Sequence, residues 1–135
     1  MFGAENPDGN MMRTLFLLSA CLASTTTAFA APAGPMGKGK ELFATCSVCH
    51  NLAKGQPNKI GPNLNGLFGA KAGTRPAFAY SPALKAASVK WTDKSLDAFL
   101  AKPQAVVPGN RMPYAGMADA GSRQALIAYL KEASH

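Results

Sequence analysis

Apolar residues recur at helical spacing near both ends of the region that follows residue 37. Residues 38–48 are predicted to form a short helix whose apolar face consists of Leu42, Phe43 and Cys46. Near the C-terminus, Ser122 is the expected N-cap of a last helix, which carries an apolar stripe of Leu126, Ile127 and Leu130. Two amphipathic helices that bury these faces in a common core are therefore expected.

Two further helices are indicated by the residues at their ends. Ser81 followed by Pro82 is a cap with proline at the first helical position, which predicts a short helix over 83–87. Thr92 is expected to cap another helix, which ends before Pro103 and points three apolar residues inward: Leu96, Phe99 and Leu100. Residues 55–73 are a loop rich in Gly, Pro and Asn. No segment alternates strongly enough to predict a strand, so the expected fold class is all-α.

The first 30 residues have the features of an export signal. Arg13 precedes an apolar run, and Ala28-Phe29-Ala30 matches an A-x-A cleavage site. Residues 1–10 contain Glu5 and Asp8 and no basic residue, so translation from Met11 or Met12 would give a more typical signal. We predict a signal peptide over 1–30, a flexible mature N-terminus over 31–37 and one small domain over 38–135.

Cys21 offers an alternative to complete removal of this segment. Leu18-Ser19-Ala20-Cys21 matches the pattern of bacterial lipoprotein signals, and lipidation at Cys21 would leave the protein tethered to a membrane. Otherwise Cys21 is a small apolar residue of the signal and is discarded with it. The A-x-A site downstream favours removal.

The chain is basic, which raises the question of its partners. Its formal net charge is +7, and loss of residues 1–30, with Arg13, Glu5 and Asp8, raises this to +8. Nucleic-acid binding is a common property of basic chains, but the sequence has no nucleic-acid motif and its basic residues are spread along the chain. We therefore expect no nucleic-acid partner.

A C-x-x-C-H run at residues 46–50 is the strongest chemical signal in the sequence. Its spacing is that of covalent haem attachment, in which Cys46 and Cys49 form two thioethers and His50 binds one face of the iron. A redox dithiol would be expected near a βαβ pattern, and a zinc site would need a second Cys/His pair. Neither is present, because the only other Cys and His are Cys21 and His135.

A methionine could fill the remaining axial position of such an iron. After removal of residues 1–30 the methionines are Met36, Met112 and Met117. Met112 lies in a loop made stiff by two prolines and two glycines, from which a thioether could reach the iron at low ordering cost. Met/His ligation raises the haem potential and suits electron transfer. From composition alone, each of the three is equally compatible with filling the core.

Beyond this motif the chain resembles the class I cytochromes c, the small single-haem proteins of the mitochondrial and bacterial periplasmic type. The resemblance covers roughly residues 38–133. It is carried by Gly39 and Phe43, Gly61-Pro62-Asn63-Leu64, Gly66-Leu67-Phe68-Gly69, Tyr80, Trp91, Pro108-Gly109 with Met112, and Leu126-Ile127-Ala128-Tyr129-Leu130-Lys131. It implies a monomer whose helices wrap around one covalently bound haem c.

The resemblance also implies roles for individual residues. Met112 stands at the position of the distal ligand, and the carbonyl of Pro62 is expected to accept a hydrogen bond from His50. Trp91 and Tyr80 stand where the family contacts a haem propionate. Three positions depart from the family by losing a polar group near the haem: Phe99, Ala70 and Leu84.

The function implied is that of a periplasmic electron carrier and not an enzyme, because two axial protein ligands leave no open position on the iron. A basic carrier is expected to meet redox proteins with acidic docking surfaces, such as membrane oxidase or reductase complexes and periplasmic dehydrogenases or peroxidases. The lysine ring of mitochondrial members is thinned here, since Arg111 keeps its charge but four related positions do not: Thr45, Gln104, Ala118 and Asp119. The alternatives are a membrane-tethered lipoprotein cytochrome, and a haem enzyme or gas sensor with a labile Met ligand.

Overall fold

The structure, a computed structural model, describes residues 34–135. The predicted signal peptide, its cleavage site and Cys21 lie outside the described residues. Five helices make up the regular structure of the described part: α1 (Pro35–Ser47), α2 (Pro82–Ala86), α3 (Asp93–Ala101), α4 (Pro103–Val106) and α5 (Ala120–Ala133). None of these helices has the length and apolarity that crossing a membrane requires. The prediction of an all-α fold is confirmed for this region, in which the one β-type contact is an isolated bridge between Lys71 and Lys90.

Helices α1 and α5, the first and the last of the described region, pack directly on each other. Gly39 is buried at the contact, and a Cβ atom there would overlap the backbone oxygen of Ala125 and the side chain of Tyr129. One turn further along α1, the rings of Phe43 and Tyr129 lie 5.7 Å apart. The absence of a side chain at Gly39 is therefore what allows the two backbones to approach so closely.

The predicted end signals of α2 and α3 are confirmed. The hydroxyl of Ser81 accepts a hydrogen bond from the N–H of Leu84 at 3.2 Å and so caps α2. Thr92 and Ser95 cap α3 reciprocally, each side chain accepting from the backbone N–H of the other. The three apolar residues predicted to point inward from α3 are buried: Leu96, Phe99 and Leu100.

Two predicted helix starts are wrong, and one short helix was missed. Helix α1 begins at Pro35 and not at residue 38, because proline is well accommodated at the first helical position. Ser122 does not cap α5; its N–H donates to the Asp119 carboxylate at 2.6 Å, so Asp119 is the cap. Pro103 follows the end of α3, as expected, but also opens the four-residue helix α4, which the sequence analysis missed.

Two loop segments on either side of α2 pair with each other through backbone hydrogen bonds. Residues 69–72 run beside residues 89–91, with Gly69 N–H donating to Trp91 O at 2.8 Å and Trp91 N–H donating to Ala70 O at 2.9 Å. This pairing fixes the position of Trp91, whose ring meets that of Phe99 edge-on at 5.0 Å. The buried core is thereby continued from the helices into the loops.

Candidate functional site

A cavity of about 700 Å³ lies among α1, α3, α5 and the loops between them. Its size is within the range of roughly 300–1,000 Å³ that is typical of small-molecule and cofactor sites. Each residue to which the sequence analysis gave a role in binding haem lines this cavity: Cys46, Cys49, His50, Pro62, Tyr80, Trp91 and Met112. The fold thus brings together residues that are as many as 66 positions apart in the chain.

The C-x-x-C-H run crosses the C-terminal end of α1. Cys46 belongs to the last turn of the helix, and its carbonyl accepts hydrogen bonds from the N–H groups of Cys49 and His50 at 3.0 and 2.9 Å. This tight turn presents both cysteines and the histidine to the same cavity. Neither cysteine forms a disulfide in the described part of the chain, and burial raises the pKa of the Cys46 thiol.

The His50 ring is oriented by the segment that follows the motif. Its Nδ1 lies 2.7 Å from the carbonyl oxygen of Pro62, the contact implied by the resemblance. When Nδ1 donates to that carbonyl, the lone pair of Nε2 is free to bind a metal. Burial lowers the pKa of His50, against the opposing effect of the Pro62 carbonyl, and so favours the neutral ring that metal binding needs.

Gly61 gives the ring its space. A Cβ atom at this position would overlap the His50 imidazole, so only glycine allows the chain to pass behind the ring. The N–H of Gly61 donates to the Cys49 carbonyl at 2.9 Å, which fastens this segment to the motif. The sequence analysis noted Gly61 as part of the resemblance but did not find its close approach to His50.

Of the three candidate methionines, Met112 alone lines the cavity. Met36 is 43% exposed in the first turn of α1, and Met117 packs against the core outside the cavity wall. The N–H of Met112 donates to the side-chain oxygen of Asn110 at 3.1 Å, and its carbonyl accepts from Tyr114 N–H at 2.8 Å. Of the three methionines, Met112 is therefore the one that the fold brings to the cavity.

Aromatic residues and cations complete the wall. Trp91 is 9% exposed and lines the cavity, where a carboxylate would accept a hydrogen bond from its indole N–H. Burial raises the pKa of the Tyr80 phenol, against the opposing effects of the Arg75 backbone and charge. The charged side chains that line the cavity, Lys71, Arg75 and Arg111, are all cationic.

This donor set fits a covalently attached haem. A large apolar cavity suits the porphyrin, two thiols on one turn suit two thioethers, and an imidazole with a thioether suits the two axial positions of iron. The cationic wall suits the two haem carboxylates. The three positions at which the sequence departs from the family also line the cavity: Ala70, Leu84 and Phe99.

Two polar residues near Met112 were missed as members of this site. Asn110 is buried, with 5% of its surface exposed, and Gln104 on α4 binds backbone atoms of the same loop. Asn is a common turn residue, so Asn110 within Pro-Gly-Asn was a visible turn signal. Gln104 carried no signal, because its partners are backbone groups.

Comparisons with known proteins agree with the geometry. A family model described as "Cytochrome c" matches residues 36–134. A cytochrome c from Chlamydomonas reinhardtii is 47% identical over 105 residues, which cover 77% of this chain and 94% of that protein. A cytochrome c2 from Blastochloris viridis is 40% identical over 118 residues, covering 87% and 88% of the two chains. A cytochrome c2 from Rhodomicrobium vannielii is 37% identical over 114 residues, covering 84% and 90%.

Proposed function

Because the chain belongs to the cytochrome c family, we propose that it is an exported, single-haem electron carrier that works in the bacterial periplasm. As a member of the family it binds one covalent haem c and carries electrons. The similarity to proteins named cytochrome c2 from two bacteria supports a bacterial setting, and the signal-like residues 1–30 support export.

The observation that carries the proposal is the convergence of two thiols, an imidazole and a thioether on one cavity. We assign the thioether bonds to Cys46 and Cys49, and the axial iron ligands to His50 and Met112. The Pro62 carbonyl holds the His50 ring in the tautomer that leaves Nε2 for the metal.

The haem, when bound, supplies one reversible electron through the Fe(III)/Fe(II) couple, and the protein sets the conditions for this exchange. Trp91 and Tyr80 are assigned to the haem carboxylates, near the cations of the wall. The apolar residues that line the cavity exclude water from the porphyrin faces and include Leu96, Leu100 and Leu126. Two axial protein ligands leave no open position for a substrate, which supports a carrier over an enzyme or gas sensor.

The ligand assignment is tested by Met112→Ala. The variant is expected to keep its haem but lose the weak long-wavelength band that a methionine sulfur gives ferric haem, and to bind cyanide rapidly. Its reduction potential should fall sharply, since methionine ligation raises it. Met36→Ala and Met117→Ala serve as controls and should leave the band in place. If one of these controls loses the band while Met112→Ala keeps it, the assignment of Met112 is wrong.

Attachment is tested by replacing the cysteines one at a time. Cys46→Ala and Cys49→Ala should each lose one thioether and much of the stable holoprotein, whereas Cys21→Ser should leave haem content unchanged. Haem content is measured by the pyridine haemochrome spectrum, whose peak position reports the number of thioethers. Equal haem loss in all three variants would contradict this assignment.

Export and processing are tested on the protein purified from its cell of origin. Mass spectrometry of the mature N-terminus should show a start at Ala31, and fractionation should place the protein with the periplasmic contents. A diacylglyceryl group on Cys21, together with recovery in the membrane fraction, would instead establish the tethered form.

A further inference from the structure

The side chain of Gln104 spans the loop that leads to Met112. Its amide nitrogen donates to the carbonyl oxygen of Asn110 at 2.8 Å, and its amide oxygen accepts from the N–H of Gly109 at 3.1 Å. Gln104 lies in α4, directly after Pro103, a fully buried residue with a fixed φ. One side chain on an anchored turn therefore binds both a donor and an acceptor on the opposite arm of the loop.

The side chain of Asn110 holds the same loop from the inside. Its amide nitrogen donates to the Val107 carbonyl at 2.8 Å, and its oxygen accepts from the N–H of Met112 at 3.1 Å. Gly109, between these partners, has φ +84, a conformation that favours glycine. Asn110 is buried, so the loss of its side chain would leave the Met112 N–H without its partner and the Val107 carbonyl with the Asn110 N–H alone.

The chain after Met112 is anchored separately. Met117 N–H donates to the Leu100 carbonyl at 2.8 Å, and the Arg123 guanidinium donates to the carbonyls of Met117 and Ala118 at 2.9 and 2.8 Å. Arg123 itself is held by Asp97 at 2.8 Å. The approach to Met112 is therefore the part of the loop whose order depends on Gln104 and Asn110.

We propose that Gln104 and Asn110 are positioning residues that hold the Met112 thioether against the haem iron. This inference rests on the proposed assignment of Met112 as the axial ligand. The two side chains restrict the loop to one conformation, so less conformational freedom is lost when the sulfur binds the metal. Without them the loop samples open conformations more often, and an external ligand reaches the iron through those conformations.

The test uses the ferric holoprotein and cyanide as the probe. In Gln104→Ala the rate of cyanide binding should rise roughly two- to tenfold, because two hydrogen bonds are lost but both lie where water can partly replace them. In Asn110→Ala the increase should be larger, roughly tenfold or more, because the lost bond to Val107 is buried and the Met112 N–H loses its partner. Gln104→Glu keeps the acceptor for Gly109 N–H but sets a second acceptor against the Asn110 carbonyl, so it should also accelerate cyanide binding.

Matched controls separate positioning from general weakening of the fold. Gln124→Ala removes the same side chain from an exposed position on α5. Asn58→Ala removes a side chain that hydrogen-bonds Pro76, Ala77 and Asn63 at 2.8–3.3 Å and no residue of the Met112 loop. Asn58→Ala should lower resistance to urea and leave cyanide binding unchanged.

The positioning role is contradicted if Gln104→Ala and Asn110→Ala bind cyanide at the wild-type rate, or if Asn58→Ala accelerates binding as much as they do. Met112→Ala is measured alongside as the fully open reference. If Met112→Ala itself binds cyanide no faster than wild type, the ligand assignment has failed, and this outcome is distinct from failure of the positioning role alone.

Discussion

At the scale of single residues, Ala77 adopts a conformation that its side chain disfavours. Its φ is +57, and it is the non-glycine residue with a positive φ among residues 34–135. The Asn58 side chain donates to the Pro76 and Ala77 carbonyls at 3.3 and 3.0 Å and so holds the turn in place. For an L-residue this left-handed conformation costs about 1–2 kcal/mol, a cost that glycine avoids.

Ala77→Gly is therefore expected to stabilise the protein. Relief of the left-handed conformation outweighs the greater flexibility of glycine in the unfolded chain, so the free energy of unfolding should rise by about 0.5–1 kcal/mol. Urea unfolding of the ferric holoprotein measures this change. Ala79→Gly, two residues further along and without a positive φ, is the matched control and should be destabilising by about 0.5 kcal/mol. Equal effects of the two substitutions would contradict the role assigned to φ at Ala77.

The role of a single residue could be predicted from the sequence when its residue type and spacing determine its chemistry. The spacing of Cys46, Cys49 and His50 specifies haem attachment on its own, and all three line the cavity. Met112 could be chosen among three methionines only by the resemblance or by the folded geometry. Gln104 and Asn110 were not predictable as a pair, because they act on backbone groups that become neighbours only when the loop closes.

At the scale of helices, capping residues and prolines predicted the helix ends better than the spacing of apolar residues did. These residues failed as predictors where two of them competed for one helix end. Asp119 and Ser122 are both good capping residues, three positions apart, and the sequence pattern does not decide between them. In the structure the Asp119 carboxylate accepts the Ser122 N–H, so the earlier residue caps α5 and the later one supplies the donor. Pro103 was read as a stop, but proline stops one helix and starts the next equally well.

The cap of α5 predicts how stability depends on pH. Hydrogen bonds from Ser122 lower the pKa of the Asp119 carboxyl, so in acid the unfolded chain binds this proton more readily than the folded protein does. Ionised Asp119 therefore stabilises the folded protein fully at pH values above the ordinary aspartate pKa. This stabilisation is lost as the pH falls through the lowered pKa of Asp119 in the folded protein. Asp119→Asn keeps a capping oxygen without a titrating group and should lose less stability between neutral pH and pH about 3.

Urea unfolding of wild type and Asp119→Asn at a series of pH values makes the comparison. The difference in the free energy of unfolding between wild type and Asp119→Asn should shrink or reverse as the solution becomes acidic. A difference that is constant over the whole range would show that the Asp119 carboxyl is not selectively stabilised in the folded protein.

The contact of α1 with α5 gives a prediction about Gly39. A methyl group at this position would overlap the Ala125 carbonyl, which belongs to the backbone of α5 and cannot turn away, so the helices must separate. Gly39→Ala should lower the free energy of unfolding by about 1–3 kcal/mol, as overpacking of a core does. Gly121→Ala is the control within α5: its Cβ would lie 3.5 Å from the Asp119 carboxylate, an ordinary contact. It should be neutral or stabilising by up to about 1 kcal/mol.

At the scale of the whole molecule, the hydrophobic core and the cavity share their residues. Seven buried core residues line the cavity as well as packing on one another: Phe43, Trp91, Leu96, Phe99, Leu100, Leu126 and Leu130. A domain of this size buries little apolar surface on folding. A large apolar cofactor in the cavity therefore supplies apolar contacts that the polypeptide alone lacks. Haem attachment and folding are therefore coupled, which is why loss of one thioether is expected to reduce the amount of stable holoprotein.

The distribution of charge leads to a prediction about partners. Without residues 1–30 the formal charge is +8, and the charged residues that line the cavity are cationic. A field of this sign steers the protein toward acidic surfaces, and salt weakens it because the screening length falls from about 10 Å at 0.1 M to about 3 Å at 1 M. Electron transfer to an acidic membrane oxidase should therefore slow as salt is added. The rate should fall less steeply with salt concentration than it does for a mitochondrial cytochrome c. The reason is that four positions near the exposed haem edge add no positive charge: Thr45, Gln104, Ala118 and Asp119.

Two charge reversals of equal size locate the docking face. Arg111 is exposed beside Met112, lines the cavity and takes part in none of the ion pairs of the described region, so Arg111→Glu should slow association at low salt. Lys131 lies outside the cavity wall and is already paired with Asp93 at 3.1 Å, so Lys131→Glu should have the smaller effect. Stopped-flow rates at several salt concentrations measure both, and the two variants should converge at high salt, where long-range steering is screened. A greater loss in Lys131→Glu than in Arg111→Glu would place the docking face away from the Met112 loop.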